Sequence, residues 1–258
     1  MPQEEILYSY SSITITLILF ALIVLFNEFG FRIGRLVQNR TNDEIKSLTG
    51  SLQASILGLL ALLLGFTFSM SMQRYNDRSM ALIDEANAIG SSQLRAQLLN
   101  EKHQHEAKLL LNEYIDLRIA VGTIDLTRVK ERRTYNKQAA NLQSKLWSLA
   151  VSITDEDPRP VTTGAFILSL NDTFDTQSKR NALLQMHVPE VVLLLLFIVF
   201  IASVGIIGYS SGLNNRRVVM PTILIAFLIS MIVFIIIDLD RPKRGLIQVK
   251  QDIMKELR

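Results

Sequence analysis

Four long apolar runs constrain this chain more than any other feature of its sequence. They span residues 6–26, 52–72, 191–209 and 218–239, and none carries a charged side chain in its middle. At about 1.5 Å per residue, roughly 20 helical residues cross the ~30 Å hydrocarbon layer of a bilayer with their backbone hydrogen bonds satisfied. Four such runs are too many for one soluble core. The sequence therefore predicts an all-α membrane protein with four transmembrane helices embedded in the lipid bilayer.

The polar stretch between the second and third runs, residues 73–187, is predicted to form a central helical extramembrane domain. The segment 74–99 contains no proline, so the second run is expected to continue out of the membrane as one long helix. Asn100 is a plausible N-cap for the next helix, which is expected to end near Gly122. Two further helices are predicted, separated by the acidic, proline-containing break at 155–160, and residues 240–258 follow as a polar C-terminal tail.

The bounds expected for the two further helices are 126–152 and 162–186. The helix expected at 126–152 has an apolar face formed by Leu142, Leu146, Leu149 and Ile153. In the helix after Asn100 the apolar positions also recur at helical spacing, and they are Leu110, Leu111, Tyr114 and Ile115. We expect these side chains to form the core of a helical bundle.

Composition argues against several classes of function. The chain has no cysteine and a net charge of +3 with dispersed basic residues, so neither a thiolate site nor nucleic-acid binding is indicated. It contains no phosphate-binding loop, nucleophile elbow or dinucleotide fingerprint, which predicts a protein that is not an enzyme and needs no cofactor. His103 and His105 are two residues apart and face different sides of a helix, so we expect a hydrated first helical turn there rather than a metal site.

The orientation in the membrane is not settled by charge. An even number of spans places both termini and the central domain on one side. Six basic residues lie in the two short loops, and the positive-inside rule, weighted to the first helix, would place these loops in the cytoplasm. Eight basic residues flank the opposite membrane ends and favour the reverse orientation.

The second run differs from the others because it contains small and hydroxylated residues. At intervals of three or four residues, one helical stripe has polar ends and an apolar middle, which is the pattern of a pore with a hydrophobic constriction. The stripe consists of Ser55, Leu59, Leu62, Phe66, Ser69 and Gln73. Close helix packing within a monomeric bundle is the alternative interpretation of the same small residues.

Several segments also resemble known proteins. The stretch Leu64–Ser69 (LGFTFS), followed by Arg74–Arg78 (RYNDR), looks like the second-span motif of the bestrophin channels. Other segments resemble the bacterial bestrophin-like domain proteins, and together they extend over nearly the whole chain. They are Glu85–Gly90 with Leu94-Arg95, Tyr114–Arg118, and Asp238–Pro242 with Gly245, Ile247 and Val249.

The resemblance implies a pentameric ion channel whose neck is formed by apolar residues at i, i+4 and i+8 of the second span. Carried over, these positions are Gly58, Leu62 and Phe66, of which Gly58 departs from the family pattern and implies a wider or shorter neck. With the polar ends of the stripe, the predicted pore-lining residues are Ser55, Gly58, Leu62, Phe66 and Ser69. The family's acidic calcium clasp has no good counterpart, since Asp238 and Asp240 are only two acids.

The function expected from these observations is a homo-oligomeric ion channel in the bacterial cytoplasmic membrane. Its partners would be other copies of the chain, inorganic ions and lipid. Bestrophins keep the large domain in the cytoplasm, which opposes the charge of the first loop. The alternative function is a membrane-anchored sensor or scaffold whose central domain binds a partner.

Overall fold

The computed structural model of this protein describes residues 10–125, 128–215, 217 and 219–258. Every regular element in this part of the chain is helical, and four helices are long and apolar enough to cross a membrane. The predicted all-α class with four membrane helices is thus confirmed. Some sequence predictions lie outside the described residues: the starts of three predicted segments at Ile6, Leu126 and Val218, and the loop residue Arg216.

The helices follow one another along the whole chain with short connections. Their bounds are α1 Ser12–Val37, α2 Asp43–Ala96, α3 Glu101–Gly122, α4 Val129–Glu156, α5 Ala165–Gln185, α6 Glu190–Leu213, α7 Val219–Asp240 and α8 Asp252–Lys255. A 3-10 turn, Gln38–Arg40, follows α1, and a π-helical turn, Pro160–Gly164, precedes α5. The chain divides into two compact units, and α2 contributes to both.

The first unit, called the membrane unit, consists of Met1–Gln73 and His187–Arg241. Its core takes one almost fully buried apolar side chain from each of four helices: Ile23 of α1, Leu60 of α2, Phe200 of α6 and Val233 of α7. The remaining apolar side chains of these helices include many that are exposed, as expected where lipid rather than protein covers the surface.

Glycines allow α1 and α6 to approach closely within the membrane unit. A Cβ atom at Gly30 would overlap the carbonyl oxygen of Gly205, and a Cβ at Gly208 would overlap that of Asn27. Gly34 and Gly212 meet the opposite backbone in the same way. Small residues spaced by four are a known device for packing membrane helices, so the two GxxxG patterns, 30–34 and 208–212, explain why these two helices pack together.

The second unit, called the helical domain, consists of Arg74–Met186 and Pro242–Arg258. One of its two apolar clusters joins Ala96, Leu111, Leu146 and Phe166, from α2, α3, α4 and α5. The other joins Ile89, Tyr114, Leu142 and Met254, the last of which belongs to the C-terminal segment.

Several local predictions are confirmed. The second run continues as one helix to Ala96, Asn100 caps α3 by accepting a hydrogen bond from the backbone of His103 (3.0 Å), and α3 ends at Gly122. The predicted apolar face of α4 is buried, since its four residues expose at most 5% of their surface. The acidic break is also present, because α4 ends at Glu156 and the chain turns before Pro160.

Three features differ from the sequence interpretation. Helix α1 extends to Val37, well beyond the apolar run, since Glu28 and Arg32 form an i,i+4 ion pair on it (2.9 Å) and its glycines pack on α6. The C-terminal tail is not merely polar, because Met254 is fully buried in the helical domain. The expectation of a hydrated turn at His103 is wrong: its ring is buried against α4 and lies 2.9 Å from the Glu156 carboxylate, whereas His105 is exposed.

Candidate functional site

The membrane portion of α2 presents an open face that carries the predicted pore residues. Ser55, Gly58, Leu62, Phe66 and Ser69 are all exposed on the single chain, with exposed fractions of 55% for Leu62 and 63% for Phe66. Because a helix turns by about 100° per residue, these five positions fall within one sector of about 80° around the helix axis. A Cβ atom built on Gly58 meets no atom within 4 Å, nor does one on Gly65.

The opposite face of the same helix is the one that packs within the chain. Leu60 and Thr67 expose 4% and 2% of their surface, and Ser71 is fully buried. Leu57, Leu63 and Leu64 are partly buried against the membrane-unit core. The small and hydroxylated residues of the second run therefore divide between two faces, and packing inside one chain accounts only for Thr67 and Ser71.

These five residues (Ser55, Gly58, Leu62, Phe66 and Ser69), called the exposed stripe of α2, place an apolar pair between polar ends. Leu62 and Phe66 are about 6 Å apart along the helix axis, and Ser55 and Ser69 lie about 21 Å apart on either side of them. The Ser55 hydroxyl donates to the carbonyl of Ser51 (3.0 Å), so its oxygen lone pairs stay available to a solvated ion or to water. Rings of apolar side chains gate by dewetting when several copies of such a face surround an axis.

A second set of polar side chains forms a buried ionic cluster in the helical domain. Glu85 of α2 is completely buried and accepts hydrogen bonds from Arg118 of α3 and Arg180 of α5, each at 2.5 Å. Arg118 makes a second contact with the same carboxylate at 3.2 Å, and Arg180 also donates to Gln251 of the C-terminal segment at 2.9 Å. Three helices thus meet at one carboxylate, and the C-terminal segment joins them through Arg180.

The charges of this cluster perturb one another. Burial by itself would raise the pKa of Glu85, but the two guanidinium groups lower it below its ordinary value, so the carboxylate stays ionised. Lys243 donates to the carbonyl of Val121 (2.7 Å), and its pKa is lowered to about 7, chiefly by burial and then by Arg180 and the other cations nearby. The groups acting on Lys243 are Arg180, Arg118, Arg132 and Glu85.

Of the two acids at the end of α7, Asp240 joins this helix to the segment just before α6. Asp238 and Asp240 are both buried, and the Asp240 carboxylate accepts from the backbone nitrogen of Val188 (3.0 and 3.1 Å) at the start of α6. His187 lies 3.8 Å from the same carboxylate. Among the described residues, no group of three or more His, Asp or Glu side chains is placed to bind a metal ion.

Comparison with protein-family models shows to which family this chain belongs. The model of the Bestrophin-like domain family matches residues 19–254, which include the end of the first apolar run, the other three runs in full and most of both units described above. This chain belongs to the bestrophin-like family. No curated protein and no solved structure matches it significantly. With its four apolar helices, the family assignment makes this bestrophin-like protein an integral membrane protein.

The segments that carried the family resemblance prove to hold the structure of this bestrophin-like protein together. Glu85 and Arg118 belong to two of them and form the buried ion pair, while Asp240 belongs to a third. Arg78, in the motif that follows the second run, is buried and donates to the carbonyls of Leu183 (3.3 Å) and Met186 (2.5 Å) at the end of α5. Four residues of the segments that carried the resemblance (Arg78, Glu85, Arg118 and Asp240) thus make polar contacts between segments distant in the sequence.

Sequence reasoning missed two features of this bestrophin-like protein. The contact between α1 and α6 could have been found from the GxxxG spacing at 30–34 and 208–212. The ionic cluster had a weaker signal: Glu85, Arg118 and Arg180 stand at positions where helical periodicity predicts a buried side chain. A charged residue at such a position indicates a buried partner, but the sequence does not say which one.

Proposed function

We propose that this bestrophin-like protein is a homo-oligomeric ion channel whose pore is lined by the exposed stripe of α2. The observation that carries the proposal is the open face of this helix, on which Leu62 and Phe66 lie between Ser55 and Ser69. A helix that packs on one face and leaves polar and apolar residues ordered along the other is suited to surround a water-filled axis with its copies. A lipid-facing surface needs no such order.

In this proposal Leu62 and Phe66 form the narrowest part of the pore and the polar residues wet its two mouths. Gly58 leaves open space one turn before Leu62, so the apolar constriction has two rings rather than three. Ions cross this short dry segment after losing part of their hydration shell, and the height of the barrier depends on the width of the two rings. One α2 helix cannot enclose a pore, so several copies of the chain must form a ring. In a pentamer this ring would contain five α2 helices.

The extent of the spans and the location are part of the same proposal. The membrane covers about 20 residues of each long helix, which correspond to the apolar runs, while the remaining turns of α1 and α2 lie in water or headgroups. The helical domain lies on one side of the bacterial cytoplasmic membrane. Inorganic ions are the transported species, and neither a catalytic residue nor a cofactor takes part in their passage.

The test is ion flux through the purified full chain reconstituted in liposomes or planar bilayers, together with its oligomeric state in lipid. Truncating the Phe66 ring widens the constriction, and we expect Phe66→Ala to increase flux about tenfold, which corresponds to a barrier lowered by about 1.4 kcal/mol. Leu62→Ala should increase it in the same direction.

Matched controls come from other membrane helices. Phe227 of α7 and Leu195 of α6 are exposed to similar degrees, 56% and 49%, but do not lie on the α2 stripe. Phe227→Ala and Leu195→Ala should leave the flux at the wild-type level. Equal flux in Phe66→Ala and Phe227→Ala would reject the pore assignment. A stable monomer without conductance would reject the channel and favour the membrane-anchored scaffold.

A further inference from the structure

A cleft in the membrane unit opens between α1 and the start of α7, and its volume is about 320 Å³. Both helices and the short connection before α7 contribute to its lining, which includes Val24, Glu28, Phe31, Arg217, Val219 and Ile223. The proposed pore residues belong to α2, so the cleft is separate from the proposed path of the ions. A space of this size holds a polar headgroup but not a whole lipid molecule.

The cleft lies where the hydrocarbon layer of the bilayer ends. The first apolar run ends at residue 26 and the fourth begins at residue 218, so Glu28 and Arg217 stand at the level of the headgroups. Val24 lies one helical turn before Glu28, and Ile223 one turn after Val219, so both are about 6 Å deeper in the membrane. The cleft therefore combines a charged mouth with apolar walls that continue toward the acyl chains.

The mouth of the cleft carries more positive than negative charge. The Glu28 carboxylate accepts hydrogen bonds from Arg32 (2.9 Å) and from Arg217, so two guanidinium groups share one acid. Arg35 adds a further cation in the last turn of α1. The Arg217 guanidinium also lies over the ring of Phe31, 5.2 Å from its centre, which holds it at the cleft. A guanidinium has five N–H donors, more than one carboxylate accepts, so Arg217 can donate to a further anion.

We propose that this cleft binds an anionic phospholipid such as phosphatidylglycerol, whose phosphate accepts hydrogen bonds from Arg217 and whose acyl chain lies against Val24 and Ile223. Arginine pairs with phosphate through parallel hydrogen bonds, and basic pockets between membrane helices suit anionic headgroups. A zwitterionic headgroup would bring its own cation beside Arg217 and leave the excess positive charge in place. A free phosphate would leave the apolar walls uncovered. The bound lipid bridges α1 and α7 at this end of the membrane unit.

The lipid site depends on the membrane unit and not on conduction. A chain that carries no current would still bind the lipid between α1 and α7, and a conducting chain could lack the site. The measurement is therefore lipid binding by the full chain rather than ion flux.

The experiment counts lipids bound to the full chain in a neutral detergent by native mass spectrometry. Dioleoyl phosphatidylglycerol is titrated against dioleoyl phosphatidylcholine, which has the same acyl chains but no net charge. We expect one phosphatidylglycerol to bind saturably per copy of the chain, at a concentration at least about fivefold lower than phosphatidylcholine requires. Glycerol phosphate, which has the anionic group but no acyl chain, should not displace the lipid at the same concentration.

Two matched pairs of substitutions separate this site from general attraction to the surface. Arg217→Gln removes the proposed phosphate donor, and Arg40→Gln removes an exposed cation from the turn that follows α1. We expect half-saturation to require at least about fivefold more phosphatidylglycerol in Arg217→Gln, and less than about twofold more in Arg40→Gln. Ile223→Trp fills the cleft and should abolish the preference for phosphatidylglycerol. Ile225→Trp should keep it, at a residue of α7 that is 42% exposed, compared with 43% for Ile223.

The proposal is overturned if phosphatidylglycerol and phosphatidylcholine bind alike, because the cleft would then hold only the lipid that surrounds any membrane protein. Equal losses in Arg217→Gln and Arg40→Gln would also overturn it, since this is the behaviour of general surface charge. Displacement by glycerol phosphate would replace the lipid site by a phosphate site. The apparent Tm of each variant without added lipid shows whether it folds, and the isoleucine pair still tests the cleft if Arg217→Gln does not.

Discussion

The close contact between α1 and α6 makes Gly30 one of the positions where a single added methyl group should cost the most stability. In Gly30→Ala the added Cβ would overlap the carbonyl oxygen of Gly205 and lie 3.0 Å from the backbone nitrogen of Tyr209. Both atoms belong to the backbone, so no side-chain rotation can relieve the clash and the two helices must move apart. Gly58→Ala adds the same methyl group where no atom lies within 4 Å.

The magnitude follows from two opposing effects. Overpacking of a tight interior costs about 1–3 kcal/mol, and the rigid backbone around Gly30 favours the upper end. Replacing glycine by alanine within a helix gains about 1 kcal/mol from propensity. We expect Gly30→Ala to lower the free energy of unfolding by about 2 kcal/mol, while Gly58→Ala should leave it unchanged or raise it by up to about 1 kcal/mol.

The assay is unfolding of the full chain in detergent by heat or by sodium dodecyl sulfate. For a chain of this size, about 2 kcal/mol corresponds to a decrease in Tm of about 4–8 °C. The reasoning is refuted if Gly30→Ala is as stable as Gly58→Ala. That result would mean that α1 and α6 are farther apart in the membrane than their backbones are in this structure.

Three further predictions concern the helical domain. Glu85→Gln should lower the free energy of unfolding by about 3–5 kcal/mol, because two buried arginines lose their counter-charge, whereas Asp84→Asn breaks only an exposed pair worth about 0.2–1 kcal/mol. Equal losses in denaturant titrations would contradict the burial argument. Met254→Ala should cost about 2–5 kcal/mol and expose the C-terminal segment to hydrogen exchange, while Leu246→Ala, at a residue that is 78% exposed, should change stability by less than about 0.5 kcal/mol. Between pH 7 and 10 the native state releases the Lys243 proton but the unfolded chain keeps it, so the free energy of unfolding should rise with pH. Lys243→Gln should flatten this rise, and an unchanged slope would exclude Lys243 as its source.

The elements that depend on local pattern could be predicted from the sequence. An apolar run of about 20 residues permits little besides a membrane helix, since only a helix satisfies its backbone in lipid. The long helix α2 follows from the absence of proline in 74–99, and the start of α3 from the capping side chain of Asn100. The stripe of Leu62 and Phe66 is likewise a property of helical periodicity, which needs no tertiary information.

The sequence alone determined the class of protein, its four membrane helices and the order of residues along each helix face, because these depend on neighbours within a few turns. The tertiary structure decided which faces are covered: it buried Thr67 and left Phe66 open on the same helix. It also joined Glu85 to Arg118 and Arg180, which are 33 and 95 residues away. Such pairings depend on how helices pack in three dimensions, and a linear pattern of charges is compatible with many of them.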